Sequence, residues 1–201
     1  MPPPGLALFP LDTVLFPGGP LSLRIFEARY LDMVRRCLKE HSAFGVVLIL
    51  AGAEAGAVSE VADTGTSARL VDFDTLPDGL LGITCVGERR FRVRRRWQQS
   101  DGLNLAEVDY LPEDAPSALP EALAHLGELL REVLPRLGGG YAHVDSHYED
   151  AGWVGNRWAE ILPLTAAEKL ELLQLDDPLA RLVQVAAWDH RAAAARVSPR
   201  R

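Results

Sequence analysis

The 201-residue chain has apolar and charged fractions of 48% and 24%, an ordinary globular composition with enough length for one domain or two small ones. Its formal charge of −7 disfavours broad binding to nucleic acid or anionic membrane, and its two cysteines, Cys37 and Cys85, exclude a disulfide framework and a four-cysteine zinc site. The longest apolar runs, such as Phe44 to Ala53, are too short to span a bilayer, and prolines rather than basic residues precede the apolar opening, so a soluble, cytoplasmic protein without membrane contact is expected.

The opening "LALFPLDTVLFPGGPLSLRIFEARY" (residues 6–30) is too apolar for a tail and too rich in proline for a helix. Proline lacks an amide donor and pushes its predecessor into extended geometry, so Phe9-Pro10 and Phe16-Pro17 each mark the end of a brief strand. Pro17-Gly18-Gly19-Pro20 reads as a turn and "LSLRI" as the next strand. From Phe26 to His41 the period becomes helical, with Tyr30, Leu31, Val34, Cys37 and Leu38 on one face. Further strands are expected at about 43–50, 57–62, 67–73, 80–86, 89–95 and 104–110, with a turn at Pro77-Asp78-Gly79 and a hairpin at Gly87.

Beyond Pro112 the pattern changes. "PEDAPSALP" reads as a linker, and the apolar spacing of Leu123, Leu126, Leu130, Val133 and Leu137 predicts a helix that stops at Gly138-Gly139-Gly140. A second helix is expected from Trp153 to Leu162. A third opens on the capping box Thr165-Ala-Ala-Glu168, and a fourth on Asp177-Pro178 with Leu179, Leu182, Val183 and Ala186 facing inward. The expected architecture is α+β, a β-rich unit over 1–115 and a helical bundle over 116–201.

Known catalytic signatures are missing. No phosphate loop, dinucleotide fingerprint or nucleophile elbow is present. A Ser–Lys dyad would need Lys39 or Lys169, and both read as solvated helix positions. Cys85 lies inside an apolar strand, where burial raises a thiol pKa and favours a core role. "AHVDSHYED" (142–150) holds the best metal candidate, His143 and His147 four residues apart with Asp145, Glu149 and Asp150 nearby. They would share a face only on a helix, and the three glycines upstream point to an acidic loop.

"GERRFRVRRRW" carries six arginines, and the rest of the chain has fifteen basic against twenty-seven acidic residues. Strand alternation would place Arg90, Arg92, Arg94 and Arg96 on one face and Phe91, Val93 and Arg95 on the other. Such a stripe could hold RNA phosphates, with Phe91 and Trp97 stacking on a base, or pair with acids of its own chain.

The stretch from Leu8 to Tyr30 resembles the N-terminal substrate-recognition (LON) domain of Lon proteases in both Phe-Pro dipeptides and the closing Ile-Phe-Glu-x-Arg-Tyr. The likeness continues through "FGVVL", "PDGLLGITCVGERRFRV", "LAEVDYL" and "WAEILPLTAAEKLELLQLDDPLARL". Arg24 stands where the family often has histidine, and Ala28 where it often has proline. The resemblance implies a PUA-like pseudo-β-barrel of about six strands with one helix, followed by a helical bundle. It implies a stand-alone, non-catalytic module without ATPase or peptidase parts and without a cofactor. Its partners would be polypeptide segments or a partner protein, with the oligomeric state left open. The expected binding residues are Phe16, Pro17, Arg24, Glu27, Arg29 and Tyr30, with Arg90 and Phe91 as a second group. The alternatives are a metal-dependent hydrolase around His143 and His147, and an RNA-binding PUA-like protein.

Overall fold

The computed structural model describes residues 5–52 and 58–197. Six strands, β1 (Leu6–Leu11), β2 (Pro20–Ile25), β3 (Phe44–Gly52), β4 (Val58–Thr75), β5 (Leu81–Gln98) and β6 (Asn104–Tyr110), form one sheet in the order β2-β5-β4-β3-β1-β6. An additional β5–β6 pairing closes five of them into an irregular ring, leaving β2 outside it on β5. All pairs are antiparallel except β1 with β3.

Two strands are twice as long as the local pattern suggests. The segments expected at 57–62 and 67–73 are parts of the single strand β4, residue 57 lying outside the described residues. Those at 80–86 and 89–95 are both β5, and Gly87 sits within it rather than in a hairpin. A Cβ at Gly87 would stand 2.3 Å from the Phe16 carbonyl oxygen. The glycine is there for close backbone approach, not for a turn. It accepts from the Gly18 amide at 2.7 Å and donates to the Gly19 carbonyl at 2.8 Å, pinning the Pro17–Pro20 turn to mid-β5.

Pro10 lies inside β1, not at a strand end. At that point β1 has left β6, which it pairs only through Leu6–Leu8, and touches β3 alone, so a missing amide donor is tolerated. Phe16-Pro17 belongs to the connection between β1 and β2.

Helix α1 (Ala28–Glu40) packs Tyr30, Met33, Val34 and Cys37 against Phe9, Ile25, Phe44, Ile83 and Cys85 inside the sheet. Met33 replaces Leu38 in the expected inward set, because Leu38 remains 39% exposed. His41, with φ 51°, ends the helix in left-handed geometry. Helices α2 (Ala124–Leu137), α3 (Ala151–Ile161), α4 (Ala166–Gln174) and α5 (Pro178–Val197) follow. The Thr165–Glu168 capping box forms with both of its reciprocal hydrogen bonds. On α5 the buried face is Arg181, Leu182, Val185 and Ala186. Leu179 and Val183, expected inside, are exposed, because the helix is rotated to bring Arg181 inward.

One apolar cluster is shared between strands and helices. Val14, Phe16, Leu48 and Ala62 pack with Ala159, Leu162, Leu172, Leu173 and Val185.

Candidate polypeptide-binding site

The outer strand β2 pairs with β5 from Pro20 to Ile25 and, among the described residues, with no other strand. Its second edge is therefore a row of backbone donors and acceptors without a ladder partner. Everything at its two ends is built to hold it in place.

At the start, Pro17-Gly18-Gly19-Pro20 wraps over an ion pair from α3. Arg157, fully buried, donates from Nε and Nη2 to Glu160 at 2.9 and 2.6 Å, and from Nη2 to the Pro17 carbonyl at 2.8 Å. Tyr141 donates to the same carboxylate at 3.3 Å. Burial pushes the Glu160 carboxyl above its usual range, while the Arg157 guanidinium pulls it back. A Cβ at Gly19 would lie 1.9 Å from Glu160 Oε1, and Gly18 takes φ +70°, so both glycines are required by geometry. Lys169, expected to be solvated, instead donates to the Glu160 carbonyl at 2.8 Å, and its burial lowers the ammonium pKa.

At the far end is the corner Glu27–Tyr30. Arg29 pairs with Glu27 at 2.8 Å and donates to the Gly102 carbonyl at 2.9 Å, tying the corner to the β5–β6 turn. Tyr30 is buried and stacks on Phe9 with ring centroids 4.1 Å apart. Between these ends Arg24 is exposed and paired with Asp78 of the Pro77-Asp78-Gly79 turn. A hollow of about 260 Å³ beside it is bordered by Ser22, Arg24, Asp72, Phe73 and Thr84. Phe26 and Phe73 are 60% and 58% exposed, the most exposed aromatic rings among the described residues.

The expected residues thus divide. Arg24 and the half-buried Pro17 and Glu27 reach the surface, and Arg29 lies mostly inside. Phe16 and Tyr30 are core side chains that shape the surface without presenting themselves to a partner.

Arg90 and Phe91 are both buried, which corrects the expected basic stripe. Register shifts on either side of them, between Thr66 and Ala68 and between Val93 and Arg95, break the simple alternation. Phe91 fills the ring interior with Leu8, Val47 and Ala106. Arg90 donates to the carbonyls of Leu173 and Leu175 at 3.0 and 2.8 Å, and Arg181 to those of Leu172 and Leu175 at 3.1 and 2.6 Å. Two guanidiniums therefore satisfy the C-terminal carbonyls of α4, where the helix dipole is negative. Asp114 bridges them, 3.3 Å from Arg90 and 2.5 Å from Arg181. Burial lowers the Arg90 pKa, and Asp114 opposes the shift. Outside this clamp Arg89 pairs with Glu113 and Arg94 with Asp109, so acids of the chain itself meet much of the stripe.

His143 ends a 3₁₀ turn (Gly139–His143), and His147 lies in the following loop with its ring edge-on to Trp153, so the two do not share a helical face. His143 stands 3.8 Å from Asp72 instead. Among the described residues, no group of three or more His, Cys, Asp or Glu side chains is placed to hold a metal ion. No described helix is long and apolar enough to cross a membrane.

The charged groups of the two clamps, Arg157 with Glu160 and Asp114 with Arg181, were missed by sequence reasoning. A signal existed: Arg157 and Arg181 each stand inside a short, strongly apolar helical run.

Comparison with known proteins supports the same fold. A solved Lon N-terminal domain protein from Xanthomonas campestris superposes with a TM-score of 0.75 at 41% identity, covering 92% of this chain and 98% of that one. The N-terminal domain of a Mycobacterium avium complex Lon protease shares the fold at 18% identity, with a TM-score of 0.65 and coverage of 92% and 97%. Among curated proteins, cereblon of Danio rerio is 31% identical over 127 residues, and Lon protease 2 of Myxococcus xanthus is 26% identical over 188. These stretches take in 62% and 90% of this chain but 27% and 23% of the relatives, so the chain spans about a quarter of their length. The model of the ATP-dependent protease La (LON) substrate-binding domain matches residues 5–188, and the chain belongs to that family.

Proposed function

We propose that the chain is a non-catalytic polypeptide-recognition module that takes an extended segment along the free edge of β2. In this reading residues 1–115 carry recognition and the helices of 116–201 brace them. The observation that carries it is the six-residue strand β2, paired on one side only and flanked by an ion pair at each end, buried at the first and half-buried at the second. Strand addition draws affinity from main-chain hydrogen bonds and selectivity from pockets for alternate side chains. Here Ser22, Arg24 and Phe26, the exposed side chains on or next to β2, line that edge for such contacts. The family match to a substrate-binding domain supports the same reading.

The test is capture of unfolded, fluorescently labelled casein by the purified chain. Saturable binding without cleavage is expected, weakened roughly tenfold by the double variant Arg24→Glu, Phe26→Ala, whose side chains are both exposed. Casein fragments lost upon substituting one residue of this chain would instead establish a hydrolase.

A further inference from the structure

Strand β6 has differently occupied edges. Toward β5 it is paired from Asn104 to Tyr110, but toward β1 only from Asn104 to Ala106, opposite Leu8 to Leu6. From Glu107 to Tyr110, among the described residues, the second edge faces no strand. Backbone groups that point away from β5 there have no ladder partner and are open to an added strand.

Residues 2–4, which precede the described residues, are all proline and carry no amide hydrogen to donate. A groove of about 980 Å³ opens along this same edge, with Leu6, Ala43, Trp97, Leu105 and Val108 among its apolar lining and Tyr110 at one end. It carries Arg36 and Arg95 against Glu40 and Glu107, two charges of each sign. A balanced rim creates no net field to select an acidic peptide or a nucleic acid.

We infer that the Glu107–Tyr110 edge and its groove receive an extended, uncharged polypeptide segment as an added strand, held by main-chain hydrogen bonds with large apolar side chains set into the groove. The inference rests on the reading of this chain as a polypeptide-recognition module, and it adds a second place of contact distinct from β2.

The probe is a blocked hexapeptide of alternating leucine and threonine, alongside the same peptide methylated on alternate backbone nitrogens. Each is titrated into the full chain while amide hydrogen exchange is followed residue by residue. The unmethylated peptide is expected to slow exchange within Glu107–Tyr110. Tyr110→Ala should weaken it roughly fivefold, methylation should abolish the effect, and added salt should change affinity by less than about twofold. Protection confined to Leu21–Ile25 would overturn this inference and leave the β2 proposal standing. Equal binding of the methylated peptide at the groove would overturn strand addition there. If neither peptide nor casein binds, both readings fall.

Discussion

Replacing Asp114 by asparagine tests the clamp between strands and helices directly. The two guanidiniums it bridges have side chains only 3% and 1% exposed, so water cannot compensate for a lost anion. Breaking a buried ion pair by removing one partner costs about 3–5 kcal/mol. Arg90 keeps the Asp176 carboxylate at 3.4 Å, and both arginines keep the carbonyls of Leu172, Leu173 and Leu175 at the C-terminus of α4, which places the expectation near the lower end, about 3 kcal/mol. For a chain of this length each kcal/mol moves the melting temperature by about 2–4 °C, so Asp114→Asn should lower it by about 6–12 °C. The control is Glu88→Gln, which breaks the exposed pair with Arg69, where about 0–1 kcal/mol is at stake. Differential scanning calorimetry at neutral pH, supported by urea unfolding, reads both. If Asp114→Asn is no more destabilising than Glu88→Gln, the two arginines do not depend on that carboxylate and the clamp is misread.

Gly87→Ala must push a methyl group to within 2.3 Å of the Phe16 carbonyl oxygen, so it should cost about 1–3 kcal/mol in urea unfolding and free the Pro17–Pro20 turn. A wild-type unfolding midpoint would show that the turn does not approach β5 this closely. Burial pushes the Cys85 thiol from 9.0 up to about 12, and a folded-state pKa above the unfolded one stabilises below pH 9 and loses that contribution as pH rises toward 12. The stability gap between wild type and Cys85→Ala should therefore narrow above pH 9, by up to about 1.4 kcal/mol per pH unit; a constant gap would contradict the burial. Native Cys85 should also resist thiol reagents at pH 8 unless the chain unfolds, whereas immediate labelling would place it at the surface. Arg157→Met leaves Glu160 buried beside an unfilled Pro17 carbonyl, and hydrogen exchange in β2 should speed up while that in α4 stays protected; unchanged exchange in β2 would detach the ion pair from the strand.

Local periodicity made the helices legible. The Thr165–Glu168 box and the Asp177-Pro178 start are both realised, because a capping interaction is settled within four residues. Strand length was not legible, because a glycine that ends a strand and one that admits a neighbouring backbone are the same letter. At Gly87 the deciding atom belongs to Phe16, seventy-one residues away in sequence. The inward face of α5 failed for a related reason. Hydropathy ranks Leu179 and Val183 above Arg181, yet the carbonyls at the end of α4 and the Asp114 carboxylate make a buried guanidinium there the better satisfied choice. The Phe-Pro repeats and the Glu27–Tyr30 corner were visible as unusual, and their family resemblance was visible too. Which of those side chains reach the surface depended on the contacts of Tyr30 with Phe9, Arg29 with Gly102 and Pro17 with Arg157, each between residues far apart in sequence.

The acceptors for Arg90 have a bearing on how the chain can be divided. The arginine is carried by β5, but the carbonyls that receive its hydrogens lie at the end of α4, more than eighty residues later. A protease nick or expression boundary near residue 115 would strand a cation in the floor of the strand half with only Asp114 and the Pro112 carbonyl for company. Such a fragment should be recovered as aggregate, and adding the missing helices as a separate peptide should restore it, because the two halves complete one another's electrostatics.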